Sequence, residues 1–236
     1  MNIALIIAGG SGQRMQNEIP KQFLNVNDKP VIVYTLEAFQ KHPDIDAIGV
    51  VCIDGWHDIL RAYARQYHID KLQWIVLGGK SGQDSIRNGV LEAEKRYPSD
   101  SIILVHDAIR PMVSHEIISD CIVQCREHGS AVSVLPCNTA VLHKDAENRS
   151  EQVVPRSELA MTQTPQAFHV GDLAQLHREA MERGITNSVA SCTLMIEMGR
   201  TVYFSIGSET NIKLTTPEDL LIFKALLSLK KREGTL

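Results

Sequence analysis

Short apolar runs alternate along the chain with segments of helical periodicity. Six runs without regular polar alternation predict strands buried on both faces; they cover residues 3–8, 47–53, 73–77, 102–106, 131–135 and 202–206. Segments with apolar residues every three or four positions predict helices; they cover residues 31–40, 58–67, 84–97, 116–127, 171–183, 189–199 and 217–230. The alternation predicts one α/β domain over residues 1–236, with a doubly wound, mainly parallel sheet. Ligands of such sheets bind at the carboxyl ends of the strands.

A segment at about residues 138–165 interrupts this alternation. Residues 138–143 and 152–155 predict two short strands, joined by a polar connection. An isolated hairpin is only marginally stable in water, so the apolar side chains of this one need a partner surface. We therefore predict a protruding β-hairpin arm that packs on a second copy of the chain and makes a homodimer. A disordered insertion is the alternative.

A glycine-rich loop follows the first predicted strand, with the sequence Ala8-Gly9-Gly10-Ser11-Gly12-Gln13-Arg14-Met15. Glycines let backbone N–H groups approach a phosphate closely. The loop has neither the spacing of a P-loop nor the third glycine of a dinucleotide-binding loop. Arg14 and Lys21 bring two cations to it, and Pro20 stiffens the approach to Lys21. Amides together with fixed positive charge suit a triphosphate whose pyrophosphate leaves.

A carboxylate follows another predicted strand at Asp107, within the sequence His106-Asp107-Ala108-Ile109-Arg110-Pro111. A carboxylate at this edge of a parallel sheet is a natural Mg²⁺ ligand, because Mg²⁺ prefers oxygen and keeps several waters. The alternative is that Asp107 caps a turn or pairs with Arg110. The position at a strand end favours function.

A second glycine-rich segment at residues 78–85 also lies at a strand end and opens a helix. It fits an anion at the helix N-terminus or a base edge against backbone groups. The alternative is an ordinary glycine turn in which Asp84 or Ser85 caps the helix. Lys213, just before the last predicted helix, is by residue type alone most typical of a solvated surface.

The composition narrows the function classes further. The chain has 236 residues, 44% hydrophobic residues and a net charge of −4, which argues against nucleic acid as a partner. No signal-peptide pattern precedes the first strand and no apolar run is long enough for a membrane, so we expect a cytoplasmic protein. Five scattered cysteines fit reduced thiols. Cys121, Cys125 and His128 share a helix face, which we interpret as core rather than as a zinc site.

Taken together, these motifs resemble the cytidylyltransferases that act on 2-C-methyl-D-erythritol 4-phosphate and, in a sister branch, on ribitol 5-phosphate. The resemblance covers nearly the whole chain. The matching stretches are residues 8–15, 20–24, 78–79 with 84–85, 106–111, 164–166 and 211–215. Six motifs in the family order are far more specific than any one of them.

The resemblance implies a Rossmann-like fold, a homodimer joined by the arm, and Mg²⁺-dependent transfer of CMP from CTP to an alditol phosphate, with release of pyrophosphate. It implies that the nucleotide is held by Ala8, Gly9, Gly10, Gly12, Gly79, Ser85 and Ala108. It implies that the catalytic cations are Arg14, Lys21 and Lys213. It implies that Asp107 serves both Mg²⁺ and the acceptor. The other implied acceptor-binding residues are Arg110, Thr139, Arg156, Thr164 and Thr186.

Three residues depart from the family pattern: Gly82 stands where arginine is frequent, and Asn138 and Asn187 stand where aspartate is usual. These changes alter the periphery of the site and leave the acceptor open. Trp56 looks more like the ribitol branch.

Two other functions remain open. One is a nucleotidyltransferase that uses another nucleoside triphosphate on a sugar phosphate, and the other is a nucleotide-binding regulator on a catalytically degenerate domain.

Overall fold

The computed structural model describes residues 1–10 and 19–232, and it has the α/β architecture that the sequence predicts. Its strands are β1 (Asn2–Ala8), β2 (Asn25–Val26), β3 (Lys29–Pro30), β4 (Ala47–Cys52), β5 (Leu72–Leu77), β6 (Ile102–Asp107), β7 (Ser130–Pro136), β8 (Val141–His143), β9 (Gln152–Val154), β10 (Ala160–His169) and β11 (Phe204–Ile206). Its α-helices are α1 (Val31–Lys41), α2 (His57–Gln66), α3 (Gly82–Glu94), α4 (His115–His128), α5 (Val170–Glu182), α6 (Ser191–Glu197) and α7 (Pro217–Arg232). Short 3₁₀ helices cover Lys21–Phe23 and Arg156–Glu158.

Seven strands form the central sheet in the order β11-β7-β10-β6-β1-β4-β5. All neighbouring pairs are parallel except the two that involve β10, which runs antiparallel to both β6 and β7. The predicted mainly parallel sheet is therefore confirmed. The carboxyl ends of β1, β4, β5 and β6 meet at one edge, because these four strands are adjacent and parallel.

Two apolar cores cover the two faces of this sheet, because successive side chains of a strand point to opposite faces. On β1, Ile6 belongs to the core that includes side chains of α1, α2 and α4. Leu5 belongs to the other core, together with side chains of α3, α5 and α6. Both residues have no exposed surface. The sheet is thus doubly wound, as the unbroken apolar strands indicate.

The cysteines of α4 are core residues, as predicted. Cys121 and Cys125 are fully buried, and burial raises the pKa of each thiol to about 12. His128 stacks on the Tyr203 ring instead, with 4.4 Å between ring centroids. Within the described residues, no helix combines the length and the apolar character that crossing a membrane requires.

The starts of α3 and α7 show two capping arrangements. Ser81 caps α3: its Oγ accepts from the Asp84 N–H at 3.0 Å, and the Asp84 carboxylate accepts from the Ser81 N–H at 3.2 Å. The N-cap is therefore neither Asp84 nor Ser85, the two residues that the alternative interpretation of this segment offered. At the start of α7, Thr216 Oγ1 accepts from the Asp219 N–H at 3.4 Å.

The predicted hairpin is present, but it is shorter than the predicted arm. Strands β8 and β9 pair antiparallel in a separate two-stranded sheet. The segment 160–165 belongs instead to β10, inside the central sheet. The sequence does not signal β10 as a strand, because its middle is polar and contains Pro165. Proline is tolerated because the pairing register with β7 shifts between Thr162 and Gln166, so no regular ladder bond is lost there.

One histidine, on the side of the sheet that α3 and α5 cover, is buried without a hydrogen-bond partner. His177 of α5 is 1% exposed, and neither of its ring nitrogens has a hydrogen-bond partner. Burial, followed by the nearby Arg87 charge, lowers the pKa of His177 to about 4; Asp84 opposes this shift. The ring is therefore neutral in the folded protein at neutral pH.

Acidification is expected to destabilise the protein through His177. An unfolded histidine titrates near pH 6.5, so between about pH 6.5 and pH 4 the unfolded state binds the extra proton. The contribution of His177 to the free energy of unfolding is fully present above that window and falls by roughly 3 kcal/mol through it. Urea unfolding at several pH values measures this fall. His177→Leu should make the fall shallower by about this amount but not remove it, because burial also lowers the pKa of His106 to about 4. An equally steep fall in the variant would contradict this assignment.

Candidate active site

A cleft of about 550 Å³ opens at the carboxyl ends of β1, β5 and β6. Its walls come from both glycine-rich segments, the turn that carries Lys21, the end of β6 and the segment before α7. The lining residues are Ile7, Ala8, Gly9, Gly10, Lys21, Gln22, Gly79, Lys80, Ser81, Gly82, Ser85, Asp107, Ile109 and Lys213. Another depression of about 340 Å³, between α2 and β5, contains none of the predicted site residues.

The two glycine-rich segments lie against each other at the base of the cleft. A Cβ on Gly9 would lie 3.3 Å from the Cα of Gly78, so a side chain there would press the loops apart. A Cβ on Gly79 would lie only 2.2 Å from the Cβ of Asp84, which excludes any side chain without movement of the loop. Ser85 Oγ accepts from the Gly79 N–H at 3.0 Å. Glycine at these positions thus allows backbone to line the cleft.

A short turn brings Lys21 to the cleft and holds the first loop in place. The Gln22 side chain is buried, and its Nε2 donates to the carbonyl oxygens of Ala8 at 2.8 Å and Gly10 at 3.0 Å. Behind the turn, Phe23 stacks on Trp56 with 4.4 Å between ring centroids. Gln22 also lines the cleft, and it is not among the predicted site residues although it lies within a matched motif. Trp56 supports this turn and does not line the cleft, so its position gives no information about the acceptor.

Asp107 is the centre of a charged cluster on the opposite wall. Its Oδ2 lies 3.0 Å from Lys213 Nζ and 3.3 Å from Arg110 Nε, and its backbone N–H donates to Thr164 Oγ1 at 3.1 Å. Burial on its own raises the pKa of the Asp107 carboxyl. The charges of Lys213 and Arg110 outweigh burial, so its pKa lies below the ordinary value. Asp107 is therefore ionised at neutral pH.

A buried amide network supports this cluster from below. Asn211 has no exposed surface; its carbonyl oxygen accepts from Arg110 Nη1 at 2.7 Å, and its Nδ2 donates to the Thr164 carbonyl at 2.9 Å. The same Nδ2 donates to Gln163 Oε1 at 3.2 Å. The network fixes the segment that carries Lys213 to β10. Asn211 lies within the matched stretch 211–215, but only the fold shows which groups its side chain bonds.

The other predicted site residues within the described part of the chain lie outside the cleft lining. Ala108 is fully buried, with its N–H donating to Ile7 and its carbonyl accepting from Thr35 Oγ1 at 2.8 Å. The side chains of three predicted acceptor residues are exposed and are not among the lining residues; these are Thr139, Arg156 and Thr186. Two predicted residues, Gly12 and Arg14, lie outside the residues that the structure describes.

Comparisons with known proteins show the family of the chain. The family model of 2-C-methyl-D-erythritol 4-phosphate cytidylyltransferase matches residues 2–229. The chain belongs to this cytidylyltransferase family. A ribitol-5-phosphate cytidylyltransferase of Lacticaseibacillus paracasei is 43% identical over 98% of this chain and 100% of that protein. A 2-C-methyl-D-erythritol 4-phosphate cytidylyltransferase of Clostridium botulinum is 35% identical over 96% of this chain and 97% of that protein.

A solved structure shows the same fold. The 4-diphosphocytidyl-2C-methyl-D-erythritol synthase of Anaerococcus prevotii superposes with a TM-score of 0.81, over 96% of this chain and 98% of that one, at 24% identity. This cytidylyltransferase therefore has the Rossmann-like fold expected from the resemblance. By its family it is a CTP-dependent nucleotidyltransferase.

Proposed function

We propose that the protein transfers CMP from CTP to ribitol 5-phosphate in the presence of Mg²⁺ and releases pyrophosphate. The observation that carries this proposal is that Lys21, Asp107 and Lys213 line one cleft together with both glycine-rich segments. Ribitol 5-phosphate is preferred to 2-C-methyl-D-erythritol 4-phosphate because identity to the ribitol-named relative is 43%, against 35% for the methylerythritol-named one.

In the proposed reaction, an oxygen of the acceptor phosphate forms a bond to the α-phosphorus of CTP. The bond from that phosphorus to the oxygen bridging to the β-phosphate breaks, and pyrophosphate leaves with the electron pair. A phosphate is already a nucleophile at neutral pH, so the site needs no strong general base. Catalysis is then positioning plus stabilisation of developing negative charge, which Lys21 and Lys213 supply from two sides of the cleft. Arg14 is proposed as the third cation.

The donor set also fits Mg²⁺. Mg²⁺ is commonly held by one or two carboxylates plus substrate phosphates and water, rather than by a cage of protein ligands. Among the described residues, Asp107 is the carboxylate of the cleft lining, and no group of three or more His, Cys, Asp or Glu is assembled. We propose that Asp107 holds the ion beside the triphosphate, where it would neutralise phosphate charge.

The acceptor end of the site is assigned to the wall around Asp107. Arg110 and Lys213 offer positive charge to the acceptor phosphate, and Thr164 lies beside them. The hydroxyls of the polyol are assigned to Thr186 with Asn187 and to Thr139 with Asn138. Asparagine both donates and accepts hydrogen bonds, whereas an ionised aspartate only accepts, so the two asparagines suit an altered hydroxyl pattern.

The arm is proposed as a homodimer contact. Leu142 is 58% exposed and Val153 is 75% exposed on the two paired strands β8 and β9. Exposed apolar side chains on a free hairpin need a covering surface, and a second copy of the chain is the simplest one. Arg156, which donates to the Asn138 carbonyl at 3.2 Å at the base of the arm, would then reach the partner's site.

Mixing two inactive variants is expected to restore activity if the arm completes the neighbouring site. An Arg156→Ala chain and a Lys21→Ala chain form a hybrid dimer in which one site has both residues intact. Pyrophosphate release by the mixture should exceed the sum of the separate variants. Hybrid dimers that form without any rescue would rule out sharing, and a monomer in sedimentation would remove its basis.

A nucleotide comparison tests the proposed function. Pyrophosphate release is measured with CTP, UTP, ATP and GTP at equal concentration, with ribitol 5-phosphate and Mg²⁺ present and with the acceptor omitted as control. We expect release with CTP, dependent on the acceptor. Preference for another triphosphate would favour a different sugar-phosphate nucleotidyltransferase. Nucleotide binding without any release, on either polyol phosphate, would favour the regulator.

A further inference from the structure

A buried glutamine joins the second glycine-rich segment to a distant loop. Gln83 lies in the first turn of α3 and is 4% exposed. Its Nε2 donates to the Ile185 carbonyl at 2.7 Å, and its Oε1 accepts from the Ser188 N–H at 2.7 Å. Both polar atoms of the amide are therefore used on one loop, more than a hundred residues further along the chain.

The two anchored backbone atoms bracket two exposed residues. Thr186 and Asn187 lie between Ile185 and Ser188, and both side chains are exposed. On the far side, Ser188 Oγ lies 3.0 Å from Thr193 Oγ1 of α6. The loop is thus fixed from α3 on one side and from α6 on the other, while its tip faces solvent.

The other end of this connection is the nucleotide side of the cleft. Gly82, the residue before Gln83, lines the cleft, and so does Ser85, whose Oγ holds the Gly79 N–H. Between them, Asp84 closes the capping box with Ser81. The first turn of α3 therefore contacts the second glycine-rich segment through Ser85 and the 185–188 loop through Gln83.

We propose that Gln83 is a positioning residue for the acceptor. It holds the tip of the 185–188 loop, Thr186 and Asn187, in reach of the polyol, and it couples the position of this tip to that of the second glycine-rich segment. This inference rests on the proposed function, because it takes Thr186 and Asn187 as groups that contact the acceptor hydroxyls. Gln83 itself touches neither substrate. Its effect is carried by two hydrogen bonds to backbone atoms that a side chain of similar length without polar atoms cannot make.

The first test removes the amide group of Gln83 but keeps a side chain of similar length. Gln83→Met should raise KM for ribitol 5-phosphate about tenfold or more, with kcat and KM for CTP within about twofold of wild type. Gln22→Met should give the opposite signature, an effect on CTP and kcat, because Gln22 holds the first loop. Gln175→Met, on the exposed face of α5, is the matched control and should change neither constant.

A second variant separates positioning from general stability. In Gln83→Glu, one carboxylate oxygen still accepts from the Ser188 N–H, but the other meets the Ile185 carbonyl and repels it. Protonation of the carboxyl turns that oxygen into a donor and restores the second bond. The acceptor KM of this variant, relative to wild type at the same pH, should therefore improve as the pH falls. Gln83→Met should show no such recovery.

Hydrogen exchange keeps this inference distinct from the proposed function. The Ser188 amide should exchange slowly in wild type and much faster in Gln83→Met, whatever the acceptor is. Unchanged exchange would overturn the anchoring. Faster exchange with an unchanged acceptor KM would overturn the positioning role. A wild-type enzyme that is inactive on polyol phosphates, with the exchange difference intact, would overturn the proposed function and leave the anchoring in place.

Discussion

Lys21→Ala is expected to lower kcat by about a hundred- to a thousandfold, while KM for CTP changes by less than about fivefold. Lys21 lines the cleft from a turn that Gln22 and the Phe23–Trp56 stack hold rigid. A preorganised charge of this kind interacts most strongly with the transition state, in which negative charge grows on the leaving pyrophosphate. Steady-state kinetics of pyrophosphate release at saturating acceptor give both constants.

The matched control is Lys29→Ala, a lysine of the same segment that pairs with Glu37 at 2.8 Å outside the cleft. Its kinetics should stay near wild type. If Lys21→Ala keeps its kcat and only raises KM for CTP, Lys21 binds phosphate equally in the ground state and the transition state, and its catalytic role is refuted.

Asp107→Asn is expected to lower kcat/KM for the acceptor by about ten- to a hundredfold. The substitution keeps the shape of the side chain but removes the charge that Lys213 and Arg110 share at 3.0 and 3.3 Å. Hydrogen bonds to charged groups contribute about 1.5–3 kcal/mol of stabilisation each. Without the Asp107 charge, Lys213 and Arg110 are no longer held in one fixed arrangement. The same change removes the proposed Mg²⁺ ligand, so the Mg²⁺ concentration for half-maximal activity should rise.

Asp58→Asn is the control for this substitution, because Asp58 and Arg61 form a pair of the same spacing, at 3.1 Å, on the exposed surface of α2. It should leave both activity and stability unchanged, as exposed pairs contribute little. Asp107→Asn with wild-type kcat/KM and unchanged Mg²⁺ dependence would show that the cluster around Asp107 only stabilises the fold.

Strands β1, β4 and β6 were predictable because each contains an unbroken apolar run. Burial on both faces of the sheet dictates that pattern. Strand β10 was not predictable, because its polar residues bond to neighbours that only the fold brings near; Gln166, for example, accepts from the Cys192 N–H at 3.0 Å. The predicted range of the arm, about 138–165, was too long for the same reason. Its hairpin follows from local alternation, whereas the boundary at residue 160 depends on pairing with β7.

The candidate site was predictable where glycine or charge follows directly after a strand. Gly9, Gly79 and Asp107 are of this kind, since strand ends of a parallel sheet converge. Lys213 looks like surface by residue type alone, and its closeness to Asp107 arises from the Asn211 network. Gln22 and Gln83 act through backbone atoms distant in sequence, so no local pattern marks them.

The acceptor preference tests the central claim most directly. The measurement is kcat/KM for ribitol 5-phosphate and for 2-C-methyl-D-erythritol 4-phosphate in one assay at saturating CTP and Mg²⁺. Ribitol 5-phosphate carries one more hydroxyl and no methyl branch, and a site built to bond a particular hydroxyl strongly rejects an analogue that lacks it. We predict a preference for ribitol 5-phosphate of about a hundredfold or more. Equal use of both acceptors, or preference for the methylerythritol compound, would contradict the account.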